Sequence, residues 1–170
     1  RGKMPVKYKG DIDMYFVKGF KPQFTDDPLR IFPNETFKFK FLLLKFEDLQ
    51  EMMFDRFEKE LPQNLFYHNL KHSIDVLAQT EIIAREENVN DKDLFLLKTA
   101  ALFHDSGFLL GYDEHEEMGI QLCRNILPKF NYTEEQINVI CDIILATQLP
   151  HKPKNHLEEI MCDADLDYLG

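Results

Sequence analysis

No stretch of this chain stays apolar for long. The longest runs, Phe41 to Leu44 among them, fall far short of the roughly 20 residues a helical membrane span needs. The start is basic, but no apolar segment follows it, so these residues are not expected to form a secretory signal. Cysteine is sparse. Cys123, Cys141 and Cys162 are odd in number and lack the short spacing of a metal knuckle. That excludes a disulfide framework and fits reduced thiols in a cytoplasmic protein, and nothing marks any of them as a nucleophile. Positive charge is also short, with 20 Lys and Arg against 30 Asp and Glu, a net of −10. Six of the basic groups fall in residues 1–21, where the net is +4, so the remainder carries −14. Such a surface keeps the chain soluble and repels nucleic acid, which argues against a duplex partner. Internal repeats and low-complexity segments are missing too.

What is present can build a core. The 170 residues are 44% apolar, enough for one domain with an appendage. The opening Arg-Gly-Lys and the closing Asp-Tyr-Leu-Gly read as the ends of a piece of a longer protein.

Two regions differ in character. Residues 1–33 are rich in Gly, Pro and Lys, with one strand-like segment, Ile12 to Val17. Pro22, Pro28 and Pro33 break any helix there, so this part is expected to be a strand and an extended linker. Residues 34–170 repeat apolar positions at helical spacing. A first helix runs from Asn34 to the Leu61-Pro62 stop. A second covers about His68 to Glu87, and a third runs from Asn90 to Phe103, with Gly107 beyond its end. A fourth follows Asp113 and stops at Pro128. The fifth opens on Thr133-x-x-Gln136, a capping-box spelling, and runs to about Thr147. The sixth begins near Asn155, after Pro150 and Pro153. The expected fold class is all-α: a bundle of about six helices with short connections.

The chemistry concentrates in three segments. Tyr67-His68-Asn69-Leu70-Lys71-His72 puts two imidazoles four residues apart, on one face if the segment is helical. One of the two can bind a metal while the other donates a proton. His104-Asp105 closes the nearly all-apolar run from Leu94 to Phe103. A His-Asp pair there is costly unless it is paired or metal-bound; a plain Asp–His hydrogen bond at a helix end is the alternative. The third segment carries Asp163, Asp165 and Asp167. Leu157, Met161, Ala164 and Tyr168 define its apolar face, and at about 100° per residue Asp165 lies nearest to it. Asp163 and Asp167 face water or partners behind the ligands. His72, His104, Asp105 and Asp165 together form a mixed imidazole and carboxylate set suited to Zn, Mn or Fe, with Mg at a more oxygen-rich second position. Four protein ligands on an octahedral ion leave room for water and substrate, a catalytic layout.

The ordered series His72, His104-Asp105, Asp165 resembles the H…HD…D signature of the HD-domain superfamily of metal-dependent phosphohydrolases, over about residues 36–170. Within it, Tyr67-His68-Asn69-x-x-His72 followed by Asp75-Val76 is similar to cyclic nucleotide phosphodiesterases, as is Cys162-Asp163-Ala164-Asp165-Leu166. The resemblance implies that residues 34–170 form an HD domain cut short at its C-terminus, because the phosphodiesterase part carrying the base-clamping glutamine does not follow. It implies one or two divalent ions held by His72, His104, Asp105 and Asp165, with Asp105 able to bridge to the second. It makes His68 the proton donor, and a metal-activated water hydrolyses a cyclic nucleotide phosphodiester. Asp75 is placed to orient a His ring. His115 and His151 stand near where other members carry second-metal ligands, although Ala146 occupies a position where a His is expected. His156 is expected at the surface.

Residues 6–17 resemble the closing strand of class III nucleotidyl cyclase domains, which implies a cyclase domain upstream in the parent chain. Two other functions remain open on the sequence: a silent regulatory or homodimerising module beside that cyclase, or another HD chemistry, either nucleotide phosphomonoester hydrolysis or di-iron oxygenation.

Overall fold

The computed structural model describes residues 3–6, 10–13 and 17–167. It divides into two compact units, Arg1–Phe41 and Leu42–Gly170.

In the first unit, β1 (Lys3–Val6) pairs antiparallel with β2 (Gly10–Asp13), Met4 opposite Ile12. The sequence offered one strand, Ile12 to Val17; β2 starts two residues before it and overlaps it at Ile12 and Asp13, residues 14–16 lie outside the described residues, and Val17 is not in a strand. A Lys and a Pro in four residues hide β1 from any strand pattern, yet a two-stranded ribbon tolerates the proline. Residues 7–9 and 14–16 of the cyclase-like segment lie outside the described residues. Beyond it, the Asp27 carboxylate accepts from the backbone N–H groups of Leu29 and Ile31 and folds the proline-rich linker on itself. Phe20 and Phe24 pack edge-on against Phe37, with centroids 4.8 and 5.7 Å away.

Among the described residues there are six α-helices, as expected of an all-α bundle. α1 (Glu35–Glu60) begins in the first unit and continues into the second, where it buries Leu42, Phe46, Leu49, Met53 and Phe57 at helical intervals. α2 (Leu70–Glu86) packs on α3 (Asp91–Phe103) and α6 (His156–Leu166), while α5 (Glu134–Ala146) packs on α3, α6 and α4 (His115–Ile126). α3 is buried on nearly every side, as an all-round apolar helix must be. Its one polar interior residue, Thr99, bonds Phe95 O and the Tyr132 hydroxyl at 2.9 Å each. Cys123, Cys141 and Cys162 are buried and unbridged. No helix is long and apolar enough to cross a membrane among the described residues.

Two helix starts differ from the sequence expectation. α2 begins at Leu70 rather than His68, because the Asn69 side chain caps it by accepting from His72 N–H. α4 begins at His115 behind Glu114 in the left-handed region (φ 54°), with no side-chain cap from Asp113. Tertiary contact sets this second start. A Cβ on Gly107 would lie 1.7 Å from the carbonyl oxygen of His115, so the backbone of α4 rests directly on the turn that follows α3. The Thr133–Gln136 capping box forms as its spelling predicts.

Candidate metal centre

The centre lies in the second unit, where the start of α2, the end of α3 and the last turn of α6 converge. His72 sits in the first turn of α2, and His104 is the C-terminal cap of α3 with Asp105 just beyond it. A 3₁₀ turn, Ser106–Leu109, follows at once. It bends the backbone so that His104 and Asp105 face one point instead of diverging. Asp165 reaches the same point from α6, while Asp163 and Asp167 are exposed, matching the face geometry read from the sequence.

Five separations define the cluster. His72 Nε2 lies 3.4 Å from His104 Nε2, 3.4 Å from Asp105 Oδ2 and 3.2 Å from Asp165 Oδ1. His104 Nε2 lies 3.3 Å from each of the same two carboxylate oxygens. Adjacent ligands on an ion with bonds of about 2.1 Å sit about 3.0 Å apart at right angles and about 3.4 Å apart at the tetrahedral angle. The four side chains therefore already stand at coordination distances.

Their hydrogen bonding points the same way. His104 Nδ1 is 2.8 Å from Ala101 O, so Nδ1 carries a proton and donates it. In neutral imidazole that leaves Nε2 as a lone pair aimed at a second imidazole nitrogen and two carboxylates. A backbone carbonyl fixing the tautomer of a histidine in this way is the usual support behind a metal ligand. His104 is 2% exposed and Asp105 7%, so water does not relieve the crowding. Burial opposes charge on His104, but Asp105 and Asp165 hold its pKa well above the ordinary imidazole value. Burial likewise opposes charge on Asp105 and Asp165, yet the histidines around them hold both well below the usual carboxylate range. Two imidazole nitrogens facing two ionised carboxylates, with a proton held on His104 in their midst, mark a place that a cation can take.

His68 is brought to this centre by the loop before α2, not by a shared helix face. Its Nδ1 is 2.9 Å from Asp105 Oδ2, and its ring stacks on Phe108 at 4.6 Å. His68, His72 and Asp105 also form a possible ligand group, so His68 is near enough either to bind an ion or to stand beside one. Asn69 pins this loop, since its side chain accepts from His72 N–H and donates to Phe66 O at 2.9 Å.

The other oxygen of Asp105 faces His115, whose Nε2 is 3.8 Å away. The same Nε2 is 3.4 Å from Glu116 Oε1, and the His115 ring stacks on Phe108 at 4.0 Å. Glu116 is buried. Neither Glu116 nor Phe108 stood out as a site residue in the sequence; an acid directly after His115 was the signal available. Asp75 accepts from Lys71 at 3.0 Å on an exposed side of α2. His151 is half-buried in the α5–α6 connection. His156 is exposed and faces Glu87 and Glu159.

The class these features define is shown by likeness to known proteins. The HD domain matches residues 69–167, a span that takes in His72, His104, Asp105 and Asp165. The chain belongs to the HD-domain family. A protein of Clostridium beijerinckii carrying only the name uncharacterized protein is 32% identical over 114 residues, 65% of this chain and 69% of that one. The crystal structure of a predicted HD superfamily hydrolase from an uncultured Thermotogales bacterium shares the fold. It aligns with a TM-score of 0.59 at 22% identity, over 71% of this chain and 67% of that one.

Proposed function

We propose that this HD domain is a phosphohydrolase dependent on a divalent ion (Mn, Fe, Zn or Mg) and that it hydrolyses a phosphate ester of the cyclic nucleotide phosphodiester type. The observation that carries the reading is the set of five separations, 3.2–3.4 Å, among His72, His104, Asp105 and Asp165. These four residues would hold the ion. Asp105 Oδ1 and His115, with Glu116 beside His115, would serve a second ion. A bound divalent ion supplies activation of water near neutral pH and neutralisation of charge on phosphoryl oxygens.

The remaining work falls to the chain. His68, entering the step as the imidazolium, would donate Nδ1–H to Asp105, which fixes the ring, and pass its Nε2 proton to the leaving oxygen, ending the step as the neutral imidazole. Phe108 stacks on both His68 and His115 and limits their rotation. The phosphodiesterase assignment rests on the Tyr67–His72 and Cys162–Leu166 spellings, and a cyclase domain upstream would supply such a substrate.

The test is metal content and turnover of the purified chain. We expect uptake of manganese, iron or zinc, a higher melting temperature with the ion, and ion-dependent hydrolysis within a panel of cyclic and linear nucleotides. A chain that takes up none of these ions, nor magnesium, and melts at the same temperature with and without them overturns the reading in favour of a regulatory module. Oxygen uptake by an iron-loaded chain that hydrolyses no ester would point to oxygenation instead.

A further inference from the structure

A cavity of about 460 Å³ adjoins the metal centre and belongs to it. A groove of about 450 Å³ shares no lining residue with that cavity and runs along α1 in the second unit, its wall including Glu47, Glu51, Phe54, Glu58 and Leu70. The first four of these form one stripe of the helix. They recur at intervals of four, three and four residues, which at about 100° per residue keeps them within about 60° of one another. Phe54 and Leu70, both half-buried, give the groove an apolar floor. Its rim is anionic and uncompensated. The other acids in the second half of α1 are paired, Asp48 with Lys45, Asp55 with Lys59 and Glu60 with Arg56. Glu47, Glu51 and Glu58 are exposed and form no ion pair among the described residues. Like charges repeated on one helix face repel, so the groove suits a cationic segment with an apolar side chain among its charges.

The chain carries such a segment. Val17 is 94% exposed, the most of any large apolar side chain among the described residues. Lys18 and Lys21 are exposed too, and neither forms an ion pair among the described residues. The first unit holds this segment in shape. Gly19 has φ 130°, and a side chain there would run into Arg30 O. Phe20 N–H donates to the same oxygen at 2.9 Å, and the Phe20 ring packs on Phe37. The segment belongs to residues 1–21, net +4 in a chain whose remainder is −14. In extended chain Lys18 and Lys21 stand up to about 10 Å apart. Glu51 and Glu58 are separated by about 10.5 Å of helix rise, so the two cations match two of the carboxylates in spacing.

We propose that the groove on α1 is an interface between two copies of this chain and receives the Val17–Lys21 segment of the second copy. Val17 lies on Phe54 and Leu70, while Lys18 and Lys21 face Glu47, Glu51 and Glu58. A two-fold arrangement makes both contacts at once and stops at the dimer. Burial of the apolar side chain supplies attraction, and the charges set register and partner choice. The contact uses no residue of the metal centre, so it stands or falls separately from the phosphohydrolase reading.

The experiment is equilibrium sedimentation of the full chain, with thermal melting alongside. At about 100 µM chain and about 0.05 M salt the expected species is a dimer that dissociates toward about 0.5 M salt, because charges at an exposed rim are screened. Two charge-reversed variants are compared, Glu47→Lys with Glu51→Lys, and Lys18→Glu with Lys21→Glu. Each should weaken self-association about 100-fold. All four side chains are exposed, so melting of the monomer at high salt should not change. Mixing the two variants should restore the dimer, since each reversed groove then meets a reversed segment and each native groove a native one. Val17→Ser, which alters no charge, should weaken association about tenfold. A wild-type chain that stays monomeric at low salt, a dimer that neither reversal weakens, or a mixture no more associated than its two parts overturns the proposal.

Discussion

At the scale of single residues, the division of labour between His68 and His72 is the sharpest point of test. His72 Nε2 lies within 3.4 Å of three other candidate ligand atoms, whereas His68 is hydrogen-bonded to Asp105 from the edge of the cluster. His72→Ala or Asp105→Ala should lose both bound metal and activity, read by elemental analysis and turnover. His68→Ala should keep its metal while turnover falls by about 10²–10⁴-fold; metal lost from this variant would make His68 a ligand. The same residues predict a pH dependence. The raised pKa of His104 means that its contribution to the metal-free fold is complete below about pH 6.5 and is lost as pH rises through the folded value. Asp105 and Asp165 are lowered, so theirs is present above about pH 4 and is lost as pH falls toward their folded values. Melting of the metal-free chain should therefore be highest in the mildly acidic range and decline toward alkaline pH. Metal affinity should instead rise with pH, because the ion displaces a proton from His104.

At the scale of elements, two contacts outside the ligand set position it. Asn69 caps α2 and at the same time holds the Phe66 carbonyl. Asn69→Ala should cost about 1 kcal/mol in urea unfolding and lower turnover as well, whereas Asn69→Asp should restore the cap without the bond to Phe66. Gly107 lets the first turn of α4 lie on the turn after α3, with no room for a methyl group against His115 O. Gly107→Ala should destabilise by about 1–3 kcal/mol, the range of overpacked cores, and displace His115 from Asp105. Most helix boundaries were legible because the capping residues Asn90, Thr133 and Asn155 are spelled in the sequence and act as expected. The start of α4 was not, because a backbone-to-backbone approach between distant residues leaves no local pattern.

At the scale of the molecule, the centre joins α2, α3 and α6, elements that also share the core through Val76, Leu97 and Met161. An ion bound there would tie together segments almost a hundred residues apart in the sequence. At about 100 times its dissociation constant it should stabilise the chain by about 2.7 kcal/mol, seen as a higher melting temperature. Asp165→Asn should abolish most of that shift while the metal-free core, untouched, still melts cooperatively. The candidate ligands were legible because imidazoles and carboxylates beside apolar runs are costly unless matched. Their partners Phe108 and Glu116 were not, since a lone Phe and a surface-type acid carry no such penalty in one dimension.

By itself the sequence determined the all-α class and most of the helix limits, and it singled out the four side chains that meet at the candidate centre, because apolar periodicity, capping chemistry and the cost of burying charge are all written in local order. Tertiary structure alone decided which imidazole nitrogens face the carboxylates, how the loop before α2 delivers His68, and which cavity adjoins the centre. Those depend on distances between segments far apart in the chain, and such distances exist only once the helices have packed.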